Sequence, residues 1–265
     1  MSNTGIINGT AYDLTGPKDA PVVALIHGLG LCRHLWAELL PAFNTKYRVL
    51  SYDLYGHGDS APPPDIASLT VYSDQLADLM TGLGISQAAV VGFSIGGMIN
   101  RRFALDHGDR LTALAILNSP HDRGAEAQKA VEARAATVRE QGALSTMDTA
   151  LARWFTPELL ETRPEVTQLV RDWRLKADAE SYAQAAWVLA AGVTELINPT
   201  PAITAPSLVL TCENDTGSTP AMSHAIAAEI TGSDTHIVPH LQHLGLMEAP
   251  ELFTTPVMEF LERTL

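Results

Sequence analysis

Cysteine is scarce in this chain: Cys32 and Cys212 are the two among 265 residues. Two thiols do not make a disulfide framework, so a reducing, cytoplasmic setting is expected. Long apolar runs are lacking as well. None approaches the roughly 20 residues that a membrane span requires, and no membrane is expected as a partner. The opening segment, MSNTGIINGTAYD, carries neither a basic patch nor an apolar core, so no secretory leader is expected there. Positive charge is in deficit: 17 Lys and Arg against 30 Asp and Glu leave a formal net charge of -13. That balance argues against nucleic acid as a main partner and reads first as a solubility surface. It also sets a condition, because a pocket for an anion would have to supply its positive charge locally. Compact groups of metal ligands, internal repeats and low-complexity segments are missing too, so neither metal nor cofactor is expected.

What is present is a globular composition, 46% hydrophobic and 18% charged, long enough for one large domain or a domain with an insertion. Four short branched apolar runs read as strands: PVVALIH (21–27), YRVLSYD (47–53), AAVVGF (88–93) and LTALAILN (111–118). Helical spacing appears between them, in TVYSDQLADLMTGLG (70–84) and IGGMINRRFALDHG (95–108), each stopped by glycine. Strands alternating with helices predict a mostly parallel α/β sheet. The pattern breaks near residue 122. From there to Leu196 no strand is expected, and an Ala, Glu, Arg and Gln-rich stretch holding Trp154, Trp173 and Trp187 reads as several helices. SLVLTC (207–212), TPAMSHAIAAEI (219–230), DTHIVPH (234–240) and a final helix with a kink or restart at Pro256 resume the alternation. The expected organisation is an α/β core of residues 1–122 and 197–265, with 123–196 inserted as a helical cap.

The stretch Gly92-Phe93-Ser94-Ile95-Gly96 places one hydroxyl in a glycine-flanked turn between a strand and a helix. That context is a nucleophile elbow: the chain must turn sharply, and side chains two residues either side of the serine would clash. A serine hydroxyl needs a base, and sites of this kind run in chain order serine, acid, histidine. Asp215, in the polar turn after SLVLTC, is the expected acid. Its rival Glu213 sits closer to the strand and is the poorer turn former. His243, after the last strand, is the expected base, with His240 as rival. His27 and the remaining histidines read as structural or surface groups. Oxyanion donors are expected at the Ile95 amide, next to the serine, and at the Leu29 amide, where Gly28 and Gly30 let the backbone bend inward.

The set HGLG (27–30), YDLYGHGDS (52–60), GFSIGGM (92–98) and HLGLMEAPELF (243–253) resembles the α/β-hydrolase fold family across nearly the whole chain. ILNSP, ARWFTPELLETRPE (152–165) and DAESYAQAAWVL (178–189) are similar to the 3-oxoadipate enol-lactonases, enzymes of aromatic catabolism. The oxyanion loop HGLGLCRH departs from the Asn-Ser-Leu-Gly type of many of them. The resemblance implies an α/β-hydrolase fold with an inserted helical cap. It matches the family's serine, acid and histidine to Ser94, Asp215 and His243, and its cap tryptophan to Trp154. It implies a serine hydrolase that opens an ester or lactone bond of a small, carboxylate-bearing substrate through an acyl-enzyme. Gly28, Trp154 and Arg33 are the expected substrate-binding residues, with Arg153 a second candidate cation; Trp173 and Trp187 are expected in the core. A carboxylesterase for neutral esters, a carbon–carbon bond hydrolase and a non-catalytic ligand receptor remain alternatives at this stage. A homo-oligomer and a role for Cys32 are left open.

Overall fold

From Asn3 the chain enters a hairpin that hydrophobic periodicity does not announce. Its strands, β1 (Asn3–Ile7) and β2 (Thr10–Thr15), pair antiparallel. Asn8 and Gly9 join them, both with positive φ (49° and 79°), the conformation that a two-residue hairpin turn demands. The Asn-Gly dipeptide is the sequence signal for it. This computed structural model describes residues 3–265, so Met1 and Ser2, at the start of the opening segment read above, lie outside the described residues.

The remaining strands are β3 (Val22–Ile26), β4 (Arg48–Tyr52), β5 (Ala88–Phe93), β6 (Leu111–Leu117), β7 (Ser207–Cys212) and β8 (Asp234–Val238). The sheet has eight strands in the order β1-β2-β4-β3-β5-β6-β7-β8. β2 meets β4 antiparallel, and every pairing from β4 to β8 is parallel. A parallel sheet must be covered on both faces, and the alternation along each strand shows how. Ala24, Ile26, Val90, Leu114 and Ile116 join one buried cluster, while Val23, Leu25, Val91, Ala115 and Leu117 join the other. Helices α1 (Leu40–Phe43), α2 (Leu69–Gly82) and α3 (Ile95–Asp106) precede the irregular middle of the chain. α2 and α3 cover the first face; α1 and the last helix cover the second.

Between β6 and β7 the described chain is helical, as expected: α4 (Gly124–Gln141), α5 (Met147–Trp154), α6 (Pro157–Thr162), α7 (Pro164–Lys176) and α8 (Ala179–Ala191), with short 3-10 turns. α4 and α8 pack on each other through Ala135, Val138, Tyr182, Ala183 and Ala186. Trp187 corrects an expectation. α8 buries Ala185, Ala186 and Val188 on its inner side, which turns Trp187 outward and leaves it 50% exposed. Trp173 is half-buried against the second cluster. The chain ends with α9 (Pro220–Glu229), α10 (Gly245–Glu248) and α11 (Glu251–Thr264). α11 runs through Pro256 without a restart. No helix among the described residues is long and apolar enough to cross a membrane.

Candidate active site

Because the strands from β4 to β8 run parallel, their carboxyl ends share one edge, where open α/β sheets bind ligands. The loops leaving β3, β5, β6, β7 and β8 bring Leu29, Ser94, Asn118, Asp215 and His243 to that edge.

Ser94 sits at the corner between β5 and α3 with φ 59° and ψ -116°, a conformation costing a non-glycine residue on the order of 1–3 kcal/mol. Its neighbours explain how the corner survives. A Cβ on Gly92 would overlap the backbone of Gly96, and one on Gly96 would overlap the carbonyls of Ile26 and His27 in β3 and its loop. The Ser94 amide donates to the Leu117 carbonyl at 2.8 Å, pinning the corner to β6.

Ser94 Oγ lies 3.1 Å from His243 Nε2, and His243 Nδ1 lies 2.6 Å from Asp215 Oδ2. An ionised carboxylate only accepts, so the network assigns the imidazole proton to Nδ1 and leaves Nε2 as the acceptor facing the serine hydroxyl. Phe93 and Trp154 flank the imidazole, with ring centroids 5.1 and 6.0 Å from it. The cap and the histidine loop are tied directly: the Leu244 amide donates to the Trp154 carbonyl at 2.8 Å, and Thr156 binds the Glu248 carboxylate.

Asp215 is buried, which by itself would raise its pKa. The facing His243, the Asn118 amide and the Ser218 N–H outweigh burial and hold it below the usual carboxylate range. Its Oδ1 accepts from the Gly217 and Ser218 amides at 2.8 and 2.9 Å. Its Oδ2 accepts from His243 and from Asn118 Nδ2 at 3.0 Å.

Asn118 is the residue that sequence reasoning missed. It ends β6 with φ 46°, fully buried, and reaches across to Asp215. The signal was available: asparagine is a poor strand residue and tolerates the left-handed region, so at the end of LTALAILN it marks a built corner. A hydrogen bond to a charged group contributes about 1.5–3 kcal/mol. Asn118→Ala is therefore expected to lower kcat about 10- to 100-fold with KM nearly unchanged, since Asn118 acts through Asp215 and lies outside the cavity wall. Steady-state kinetics on one ester would check the split.

The rivals are accounted for. The Glu213 carboxylate accepts from the His240 amide at 2.8 Å, and both side chains are largely exposed, away from Ser94. His27 is buried with both nitrogens engaged: Nδ1 donates to the Gly28 carbonyl and Nε2 accepts from the Leu54 amide. The Ile95 amide opens α3, among the first N–H groups that have no acceptor within the helix. Leu29 borders the cavity in a turn closed by the Leu31 amide on the Gly28 carbonyl at 3.1 Å.

Above Ser94 lies a cavity open to solvent, walled by the sheet edge below and by α4, α5, α7 and α8 above. Gly28 and Trp154 line it. Arg33 does not, and its expected role is corrected. Its guanidinium pairs with Asp13 at 2.9 Å, with Asp59 at 2.9 Å and with the fully buried Asp53, which holds it outside the cavity wall. Position next to Leu29 in the chain could not reveal three carboxylates brought from β2 and the loop after β4. Cys32 beside it is buried, and desolvation pushes its thiol up to about 12, so it carries no nucleophilic thiolate near neutral pH. The cations that do face the cavity are Arg123, Arg134, Arg153 and Arg174, all on the inserted segment or its entry. The Arg174 guanidinium lies over the Trp154 ring, 4.9 Å from its centroid. Among the described residues no group of three His, Cys, Asp or Glu side chains is arranged to hold a metal ion.

Comparison with known proteins places this geometry. A profile of the alpha/beta hydrolase fold matches residues 21–250. The chain is 30% identical over 253 residues to 3-oxoadipate enol-lactonase 2 of Acinetobacter baylyi, covering 95% of this chain and 92% of that one. It is 28% identical over 257 residues to the (E)-2-((N-methylformamido)methylene)succinate hydrolase of the same organism, covering 97% and 96%. Among solved structures, the enol-lactonase from Burkholderia xenovorans LB400 superposes with a TM-score of 0.89 at 30% identity, covering 98% of this chain and all of that one.

Proposed function

Since the chain belongs to the alpha/beta hydrolase fold family, we propose that it opens an ester or lactone bond of a small carboxylate-bearing substrate with Ser94, His243 and Asp215 as its catalytic triad. The observation that carries this reading is the unbroken relay from Ser94 Oγ through the His243 imidazole to Asp215, beneath a cavity lined by arginines. The relatives that act on an enol-lactone and on a substituted succinate support an anionic acyl substrate, and 3-oxoadipate enol-lactone is the substrate to try first.

In this mechanism His243 Nε2 takes the hydroxyl proton as Ser94 Oγ attacks the carbonyl carbon. The imidazolium that forms is stabilised by Asp215. The Leu29 and Ile95 amides receive the oxyanion. His243 then gives the proton to the leaving oxygen. For an enol-lactone the leaving group is an enol, less basic than an alkoxide and free to ketonise. Water, deprotonated by His243, attacks the acyl-enzyme and frees Ser94. We take residues 123–196 as the cap that shelters this chemistry from bulk water, and Trp154 and Gly28 as walls of the acyl pocket. Two free buried thiols support a cytoplasmic setting. Neutral esters are disfavoured as natural substrates, because they would leave the cavity's guanidiniums without an anion.

A fluorophosphonate probe tests the reading. Labelling of one serine per chain, slowed while 3-oxoadipate enol-lactone is present in excess, and turnover of that lactone by the unlabelled chain, is the expected result. A chain that labels slowly and turns nothing over is a ligand receptor on a hydrolase scaffold.

A further inference from the structure

Four arginines, Arg123, Arg134, Arg153 and Arg174, share the lining of one cavity. Elsewhere several arginines are tied to carboxylates, Arg33 to three aspartates, Arg102 to Asp106, Arg139 to Glu180, Arg171 to Asp148 and Arg263 to Asp234, while the buried Arg101 and the half-buried Arg110 are held by carbonyls and hydroxyls outside the cavity lining. Among the described residues, none of Arg123, Arg134, Arg153 and Arg174 has a carboxylate partner within 4.0 Å. Arg123 donates to the Leu189 carbonyl at 3.0 Å, the Ala190 carbonyl at 3.4 Å and Gln128 Oε1 at 3.2 Å. Arg153 donates from Nε to the Thr149 carbonyl at 3.3 Å. Arg174 is 2% exposed, held between the Trp154 and Tyr182 rings, and its Nε and Nη1 have no hydrogen-bond partner. Arg134 is exposed where the cavity opens. Asp215 is the one acid among the described lining residues, and both its oxygens are already engaged.

This arrangement is costly. Burial, and after it the charge of Arg134, brings Arg123 down to about 10; burial and Arg153 lower Arg134; Arg174 is lowered mainly by burial. A chain with 30 Asp and Glu does not lack carboxylates to pair with these groups. Like charges left unpaired along one wall mark a place where a ligand brings the countercharge. One carboxylate has two oxygens and is met by one or two guanidiniums. Four guanidiniums, from the exposed rim to the buried wall beside Trp154, exceed that.

Resting on the hydrolase reading above, we infer that the natural substrate carries at least two anionic oxygen groups, against the single carboxylate of the trial substrate 3-oxoadipate enol-lactone, one met by Arg153 and Arg174 beside Trp154 and another by Arg123 and Arg134 toward the rim. The reaction then adds one more. Water cleaves the acyl–oxygen bond, the acyl carbon facing Ser94 becomes a carboxylate, the leaving oxygen keeps a hydrogen, and one proton is released. The product has one more negative charge than the substrate and binds the arginine wall more tightly than the substrate does.

Calorimetry on the full-length Ser94→Ala protein tests this with unreactive ligands: butyrate, glutarate, tricarballylate and glycerol 3-phosphate. At low ionic strength, glutarate is expected to bind about tenfold tighter than butyrate, and tricarballylate tighter again. The gain shrinks at high salt. It falls about tenfold in Arg174→Gln, and also in Arg134→Gln, where the exposed position leaves the fold intact. Glycerol 3-phosphate tighter than glutarate assigns the second group to phosphate; the reverse assigns it to carboxylate. Butyrate and tricarballylate binding within twofold of each other, with glycerol 3-phosphate no tighter, overturns the inference. That outcome leaves the hydrolase reading standing if the wild-type chain labels and turns over. Tight tricarballylate binding by a chain that turns nothing over overturns the hydrolase reading instead.

Discussion

Replacing Ser94 by alanine is expected to cut kcat for ester or lactone hydrolysis by about 10⁴–10⁶-fold while the protein remains folded. The alanine side chain fits wherever the serine does, and the backbone bonds that hold the corner, from the Ser94 amide to Leu117 and from the Gly97 amide to the Ser94 carbonyl, do not involve the hydroxyl. What is lost is the hydroxyl that His243 Nε2 faces, the proposed nucleophile. A residual rate above that in water would come from the oxyanion donors and from binding. Single-turnover assays with the wild-type chain as reference give the ratio. Activity surviving at more than a few per cent would falsify the triad. A companion substitution separates chemistry from architecture. Ser94→Gly removes the hydroxyl and also the strain at φ 59°, so it should be as inactive as Ser94→Ala yet more stable by about 1 kcal/mol. For a chain of this length that is a rise of about 2–4 °C in Tm. The strain is stored at the proposed nucleophile, so stability is expected to rise as activity disappears.

Asp215→Asn is expected to lower kcat by about 10⁴-fold with the fold retained. The carboxylate now accepts four hydrogen bonds, from Gly217, Ser218, Asn118 and His243. An amide can keep the two backbone bonds on its oxygen, but its nitrogen then faces His243 as a donor. The imidazole turns to its other tautomer, with Nε2 protonated toward Ser94 and unable to take the hydroxyl's proton. It also loses the charge that would stabilise an imidazolium. The same carboxylate makes a stability prediction. Its pKa in the fold is depressed, so its contribution is fully present above the unfolded value of about 3.9 and is lost as pH falls through the lower folded value. Acid denaturation of Asp215→Asn should therefore be less steep below about pH 4 than that of the wild-type chain. An unchanged rate in this variant would remove Asp215 from the mechanism and return Glu213 to consideration, despite its exposed pairing with His240.

Much of the core was legible before any coordinates. Branched apolar runs ending in glycine-rich or polar turns gave β3 to β7 within a few residues, because a parallel strand buried on both faces has little sequence freedom. The short edge strand β8 is mostly exposed and was placed by its position after the α9 pattern. The hairpin β1–β2 escaped because its residues alternate weakly: Asn3, Thr4 and Ile6 are exposed on a sheet edge that demands no apolar pattern. The Asn-Gly turn alone announced it. At the site, the elbow was readable because steric need leaves only glycine at positions 92 and 96. Choosing Asp215 and His243 over Glu213 and His240 followed from loop chemistry, and the coordinates bring the chosen pair to Ser94 and the rivals to each other.

The charged groups divided differently. Local sequence offered Arg33 as the anion partner because it lies four residues from Leu29, but ion pairing is decided by whatever the fold brings across, here Asp13 from β2 and Asp53 from the loop after β4. It could not show that Arg123, Arg134, Arg153 and Arg174, from separate helices or their approaches, share one cavity, nor that Asn118 crosses from β6 to steady Asp215. The chain by itself determined the sheet, the corner at Ser94 and the order of Ser94, Asp215 and His243 along it, since each depends on neighbours within a few residues and on steric rules that hold in any context. Tertiary structure alone decided which charges are neutralised within the protein and which face the cavity, because Coulomb partners are selected by distance in space and not along the chain.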